Sequence, residues 1–241
     1  MKIKVINPNT TVSMTQTIGS AARAIANSTT EIITCNPKMG PVSIEDHYDE
    51  ALSVIGILDE IRTGEAEKID GYVIACFGDP GLMAARELAK GPVIGIAEAA
   101  MHAASMISTG FSIVTTLGRT RIIAQHLVER YGMTRFCRQI RSIDLSVLSL
   151  EEADTKKAVL AECRTALKED DCGAIILGCA GMADLSIWLT DALGIPVIDG
   201  VSVAVKFVEA LVGAGLSTSK TGDLAYPISK PFTGSLSKFV P

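Results

Sequence analysis

The residues best suited to chemistry are two cysteines. Cys76 closes the stretch GYVIAC and is followed by FGDPG; Cys179 closes GAIILGC and is followed by AGMA. Each thiol ends an aliphatic run that reads as a buried strand, and small, turn-forming residues come directly after it. A cysteine acts as a base only as its thiolate, which forms near pH 8.5 in open solution. Two thiols facing one carbon from opposite sides can exchange its hydrogen, one abstracting a proton and the other returning one to the far face. That reaction inverts a carbon acid and asks for neither a metal nor an organic cofactor. Asp79-Pro80 reads as an N-cap and a first helical residue. Cys76 is therefore expected just before a helix N-terminus, whose dipole would favour the thiolate, with Asp79 itself working against that effect. Backbone N–H groups at Phe77-Gly78 and Ala180-Gly181 are expected to stabilise the developing enolate oxygen.

The other reactive side chains read more plainly. Cys137, Cys163 and Cys172 fit small buried hydrophobes, and Cys35 ends a strand but has no counterpart later in the chain. No CxxC pair occurs, so no metal site is expected. His47 falls in a loop, where contact with a ligand and simple solvation are both open; His102 and His126 fall within helical patterns. Asn9 and Thr10, and likewise Thr115 and Thr116, stand where a cap and a site contact are equally natural, and Ser43 could serve a turn alone. The glycines of GAGLSTSKTG (213–222) follow a helix, so a dinucleotide or P-loop reading fails on context.

These residues need elements to place them. Short aliphatic runs near 3–6, 31–35, 71–75, 92–95, 111–115, 138–143, 173–177 and 195–198 read as strands. Between them, helical spacing covers 11–26, 49–63, 80–89, 98–107, 118–130, 154–169, 182–192 and 200–213; Met14, Ile18, Ala22 and Ile25 set the first. Strands alternating with helices predict an α/β fold with parallel sheets, whose ligand loops follow the C-terminal ends of the strands. The Pro- and Gly-containing segment 36–48 is the expected mobile loop over a site. The tail after 215 has weak periodicity and is expected to lie over the surface.

Several stretches recur in order. KVINPNTT resembles SIVTTLGRT, YVIACFGDPG resembles AIILGCAGMA, and GPVIGIAEAA resembles IPVIDGVSVA, at offsets of 105, 103 and 104 residues (10 to 115, 76 to 179, 92 to 196). The three similar offsets predict an internal duplication: two pseudo-symmetric lobes, each a mainly parallel sheet flanked by helices, with the site in the cleft between them. The expected lobes are residues 1–97 with 208–241, carrying Cys76, and 98–207, carrying Cys179.

Composition narrows the class. The 241 residues are 48% hydrophobic but only 5% aromatic, and the formal net charge is −5. A chain this long buries enough surface to fold without a metal or disulfide. Without a basic run there is no footprint for nucleic acid. No stretch reaches the roughly 18 apolar residues of a membrane helix. The start, MKIKVINPNTT, opens as a strand without a signal-peptide core, which predicts a cytoplasmic protein with reduced cysteines.

INPNTT, SIEDHYDE, CFGDPGL and LGCAGM resemble, in order and spacing, segments of the hydantoin and allantoin racemases of the aspartate/glutamate/hydantoin racemase superfamily. The resemblance runs from residue 1 to about 230, and GPVIGIAEAAMHAA, FSIVTTL and PVIDGVSVAVK together are most similar to the allantoin racemases. It implies a two-lobed, homo-oligomeric enzyme without cofactor or metal, in which Cys76 and Cys179 exchange the roles of proton acceptor and donor. It also implies contacts to a small cyclic ureide from Asn9, Ser43, Phe77, Gly78, Thr116, Ala180 and Gly181. Asn7-Pro8 and Ala180-Gly181 depart from the amino-acid racemases of the superfamily, so groups for an amino acid's charges are missing and a neutral ring fits better. Racemisation at C5 of allantoin is the resulting expectation. Inversion of other 5-monosubstituted hydantoins, a related decarboxylation, and a two-lobed small-molecule sensor without turnover remain the alternatives.

Overall fold

Eight aliphatic runs form two four-stranded parallel sheets in the computed structural model, which describes residues 1–152 and 154–240. The first sheet contains β1 (Lys2–Ile6), β2 (Glu31–Cys35), β3 (Gly71–Ile74) and β4 (Val93–Gly95) in the order β2-β1-β3-β4. The second contains β5 (Phe111–Thr115), β6 (Cys137–Ser142), β7 (Ala174–Leu177) and β8 (Val197–Ile198) in the order β6-β5-β7-β8. The central strands β3 and β7 are buried throughout, as continuous aliphatic runs in parallel sheets require. The helices are α1 (Val12–Ile25), α2 (His47–Ala66), α3 (Leu82–Leu88), α4 (Ile96–Ile107), α5 (Thr120–Arg130), α6 (Thr155–Glu169), α7 (Ser186–Leu193) and α8 (Gly200–Gly213). In α1 the buried Met14, Ile18 and Ala22 recur every four residues, placing one face on the core.

The matching strand orders are the fold of a duplicated α/β half. Hydrogen bonding corrects one of the three offsets. Ala75 N donates to Ile6 O and Gly178 N to Val114 O, each at 2.8 Å, so Ile6 and Val114 are equivalent, 108 residues apart rather than 105. Asn7 thus corresponds to Thr115, and the loops that follow differ in length. The pairing of Cys76 with Cys179 stands, because β3 and β7 occupy the same place in their sheets.

α4 and α8 pack along each other, and each also reaches across: α4 lies against β7, and α8 against β3 and β4. α8 therefore spans the expected boundary at 207/208. The largest buried cluster includes Val73 and Ile96 from one half and Phe111, Ile113 and Ile176 from the other. Two smaller clusters lie on the outer faces, one under α2 and α3 and one under α6 and α7. The two sheets thus share one core, and Phe77 and Ala180 belong to it. The tail after 215 lies over α2 and α3, where Lys220 Nζ donates to Arg86 O and Glu87 O and Lys238 pairs with Asp59 at 2.8 Å.

Candidate active site

Parallel strands deliver their C-terminal residues to one edge of the sheet, and here both edges face one cavity. Cys76 comes two residues after β3 and Cys179 two residues after β7; both line a cavity of about 50 Å³. Asn9, Phe77, Gly78, Thr116 and Ala180 join them in the wall. Ser43 is not part of that wall, but its neighbour Ile44 is. Gly181 faces a separate small recess with Thr11, Ser13 and Val147, although a Cβ there would come within 3.7 Å of the Cys179 sulfur.

Local hydrogen bonds orient Asn9. Its Oδ1 accepts from Asn7 Nδ2 and Thr11 N, both at 2.9 Å, so the amide nitrogen is turned the other way. There Nδ2 meets Met14 Sδ at 3.1 Å, a weak acceptor that leaves donor capacity at the cavity wall. Thr115 is tied up by Thr120 Oγ1 at 3.0 Å and by Gly178 O at 3.2 Å, so it holds the loop together.

The electrostatics overturn the expectation of a dipole-assisted thiolate. Burial pushes the Cys76 thiol well above its ordinary range, and Glu50, Cys179 and Asp79 push it the same way. Burial pushes Cys179 up to about 11, with Glu45 adding to it. Against this, the Gly78 backbone N–H favours the Cys76 thiolate and the Gly181 N–H favours that of Cys179, the same i+2 contact in both halves. These two N–H groups thus favour the charged form of the sulfur in their own loop. Phe77 N makes no backbone hydrogen bond to a described residue, and Ala180 opens a 3-10 helix, where an N–H has no intrahelical acceptor. Neither N–H is therefore committed to a described backbone acceptor.

Asp79 does not cap the helix that follows it. α3 starts at Leu82 behind Gly81 (φ 66°), and Asp79 itself has φ 45°. Its carboxylate is 1% exposed and accepts from Ala97 N at 3.0 Å and Glu98 N at 2.9 Å, capping α4 instead. Gly95 precedes α4, and a Cβ on it would fall inside the Asp79 carboxylate. In the other half Asp199 precedes α8 and caps it directly, accepting from Val201 N at 2.8 Å and Ser202 N at 3.1 Å. One half thus supplies its cap from the adjoining residue and the other borrows it from the thiol loop. Tyr131, at the end of α5 in the other half, donates its hydroxyl to Asp79 Oδ2 at 2.7 Å. Burial raises the Asp79 carboxyl to about 6 despite these donors.

Motif reading missed several participants. Glu50 lies in the first turn of α2 and lines the thiol cavity, its side chain 18% exposed. Its signal was only one acidic residue of four in SIEDHYDE, three positions after His47. Met14, Ile44, Ile123 and Val147 complete the apolar wall. The segment expected to be mobile is pinned on both sides: Pro41 O accepts from Thr10 N at 3.0 Å and Val42 O from Thr11 Oγ1 at 2.6 Å. Across the cleft, Glu45 Oε1 accepts from Val147 N at 2.6 Å, and Arg119 pairs with Asp46 at 3.2 Å. His47 opens α2 rather than lying in a loop. Among the described residues, no group of three or more His, Cys, Asp or Glu is arranged to hold a metal ion. No described helix is long and apolar enough to cross a membrane.

The family model for Asp/Glu/hydantoin racemase matches residues 3–208. A hydantoin racemase of Rhizobium meliloti is 52% identical over 237 residues, covering 97% of this chain and 98% of its own. Among solved structures, an allantoin racemase from Klebsiella pneumoniae is 57% identical with a TM-score of 0.98, covering 100% of this chain and 99% of its own. An allantoin racemase from Pseudomonas fluorescens is 37% identical with a TM-score of 0.93, covering 97% and 100%.

Proposed function

The chain belongs to the Asp/Glu/hydantoin racemase family, and from that premise we propose that it inverts C5 of allantoin with Cys76 and Cys179 as the two bases. One thiolate takes the C5 proton, and the C–H electron pair moves toward the adjacent ring carbonyl to form an enolate. As the enolate collapses, the opposite thiol gives its proton to the other face of C5 and becomes the thiolate. Protons and charge balance within the cavity. The observation that carries this reading is the placement of two equivalent thiols, one from each half, in the wall of a single cavity.

The charges around the two thiols support one resting state. Cys76 feels Glu50, Asp79 and Cys179 in addition to burial, whereas Cys179 feels burial and Glu45. The first thiolate therefore forms on Cys179, with Cys76 as the proton donor. Asn9 Nδ2 and the backbone N–H groups of Phe77 and Ala180 are the donors we assign to the developing enolate oxygen, and a preorganised donor of this kind supplies roughly 2.7–4 kcal/mol. Thr116 is assigned to the ring edge, and Gly78 and Gly181 to the sulfurs. Ser43 enters the proposal only as part of the segment that closes on the ureido group.

A neutral ring is favoured because, among the described residues, neither Lys nor Arg lines the cavity, so an amino acid's carboxylate would have no counter-charge there. The cavity of about 50 Å³ is smaller than the roughly 150 Å³ that holds a benzene-sized ligand. Substrate binding therefore requires the 36–46 segment to move away from Val147. The lobes of the proposal are residues 1–97 with 208–241, and 98–207. A homo-oligomer remains part of the proposal, and the mass of the purified protein in solution tests it.

Polarimetry of enantiopure allantoin with the purified protein, corrected for spontaneous racemisation, tests the assignment. Cys76→Ser and Cys179→Ser should each lower racemisation by about 10²–10⁴ or more. Each single variant should retain exchange of the C5 hydrogen of one enantiomer in D₂O. Racemisation at the wild-type rate in either variant overturns the two-thiol mechanism. Faster turnover of an aliphatic or aromatic 5-substituted hydantoin than of allantoin overturns the substrate.

A further inference from the structure

A reaction that passes a proton from one thiol to the other leaves the enzyme changed. After the resting form has turned over one enantiomer, Cys179 carries the proton and Cys76 is the thiolate. Before the next molecule of that enantiomer can react, Cys76 must regain a proton and Cys179 must lose one. Both sulfurs are only partly exposed in a narrow, largely apolar cavity, so a fixed proton donor beside Cys76, the thiolate that must be reprotonated, speeds this reset beyond exchange with water alone.

The fold supplies an ionisable group at the right place. Glu50 lines the thiol cavity together with Cys76 and Gly78. It also lines a second, larger recess of about 390 Å³ behind the 78–81 turn, shared with His47, His126, Asp79 and Arg130. Among the described residues it is the only acidic one in the wall of the thiol cavity. A Cβ on Gly78 would collide with Glu50 Oε1, so glycine there lets the carboxyl lie directly against the backbone of the thiol loop. On its other side, Glu50 Oε2 lies 3.3 Å from His47 Nδ1, and the His47 side chain is 66% exposed and stacks on His126.

We propose that Glu50 is the proton-exchange residue of the free enzyme, returning a proton to the Cys76 thiolate between turnovers and being reloaded from water through His47. The carboxylic acid of Glu50 gives its proton to Cys76 Sγ and becomes a carboxylate. His47 passes a proton from solvent to that carboxylate, and the Cys179 thiol gives its own to water or a buffer base. No net charge accumulates, and no bond to carbon is involved. The proposal rests on the two-thiol reading above.

The groups facing Glu50 fit the task. Burial raises its carboxyl above the ordinary range, Asp46 adds to this, and His47 and Arg130 oppose it. Cys76 and Asp79 border it from the thiol loop, and His126 and Arg130 from α5. A carboxyl held up by burial is protonated more often, and so is a better proton source for a neighbouring thiolate.

The test separates the reset from the chemistry. A reset between turnovers limits kcat but not kcat/KM, because kcat/KM covers only the steps from free enzyme to the first committed step. In Glu50→Gln, assayed with each allantoin enantiomer, kcat should fall at least about tenfold, KM should fall in parallel, and kcat/KM should change less than about threefold. Progress curves at high substrate should slow further as both enzyme forms become trapped with ligand. Added formate or imidazole should restore kcat in Glu50→Ala. His47→Ala, at an exposed position, should show the same split to a smaller extent and stands in if the Glu50 variants fold poorly. An unchanged kcat overturns the proposal. So does an equal fall in kcat and kcat/KM, which would place Glu50 against the substrate. Loss of the two-thiol reading would show separately, as a Cys76→Ser enzyme that still racemises.

Discussion

At the scale of single residues, the two sulfurs pay for their shelter in basicity. A thiol that burial pushes up to about 11 is ionised in only a small fraction of molecules at pH 7. That small fraction is strongly basic, which suits removal of a weakly acidic C–H. Because burial raises the thiol above its ordinary value, the thiolate population grows as pH rises and does not level off until the pH approaches the raised value. Between pH 6 and 9, kcat/KM for allantoin should therefore climb about tenfold per pH unit after the spontaneous rate is subtracted. A plateau below pH 8 would mean that the thiol of the free enzyme lies far lower than its burial implies.

At the scale of elements, Asp79 joins three pieces of the molecule. Its carboxylate caps α4, occupies the space above Gly95, and receives the Tyr131 hydroxyl from the end of α5. The Cys76 loop is thereby held to a helix that packs on the other half. The carboxyl is raised from 3.8 to about 6, so its contribution to stability is fully present below about pH 4 and is lost as pH rises through 6. Such a shift corresponds to an order of 3 kcal/mol. The stability advantage of the wild type over Asp79→Asn should shrink by about that much between pH 4 and pH 7, measured by urea unfolding at each pH. An advantage independent of pH would show that Asp79 does not titrate in this range.

At the scale of the whole molecule, the shared core and the cross-cleft contacts divide the labour. α4 and α8 bind the halves into one body around the core that both sheets contribute to, so large rotations of one half against the other would expose buried aliphatic surface. The 36–46 segment is held by a few polar contacts, chiefly Glu45 with Val147 N. A hydrogen bond to a charged group is worth about 1.5–3 kcal/mol. Glu45→Ala should therefore speed backbone hydrogen exchange around residues 40–46 and 146–150 by at least about tenfold while leaving β3 and β7 protected. Equal exchange in the two proteins would mean that Thr10, Thr11 and the Arg119–Asp46 pair hold the segment without Glu45.

The sequence by itself determined the strands, the helices and the matched settings of the two cysteines, because aliphatic periodicity and turn residues are local signals. β3 and β7 are legible as unbroken apolar runs, and α8 begins and ends where its spacing says. The shorter β8 starts two residues later than its apolar run, because its ladder register with β7 covers Val197 and Ile198, while Pro196, which has no N–H to give, only accepts from Ile175 N. Only the tertiary structure decided that Asp79 caps a helix other than its own, that Ile6 matches Val114, that burial raises the thiols, and that Glu50 reaches their cavity. Each of these depends on atoms brought together from distant parts of the chain, and neither distance nor desolvation is written in local order.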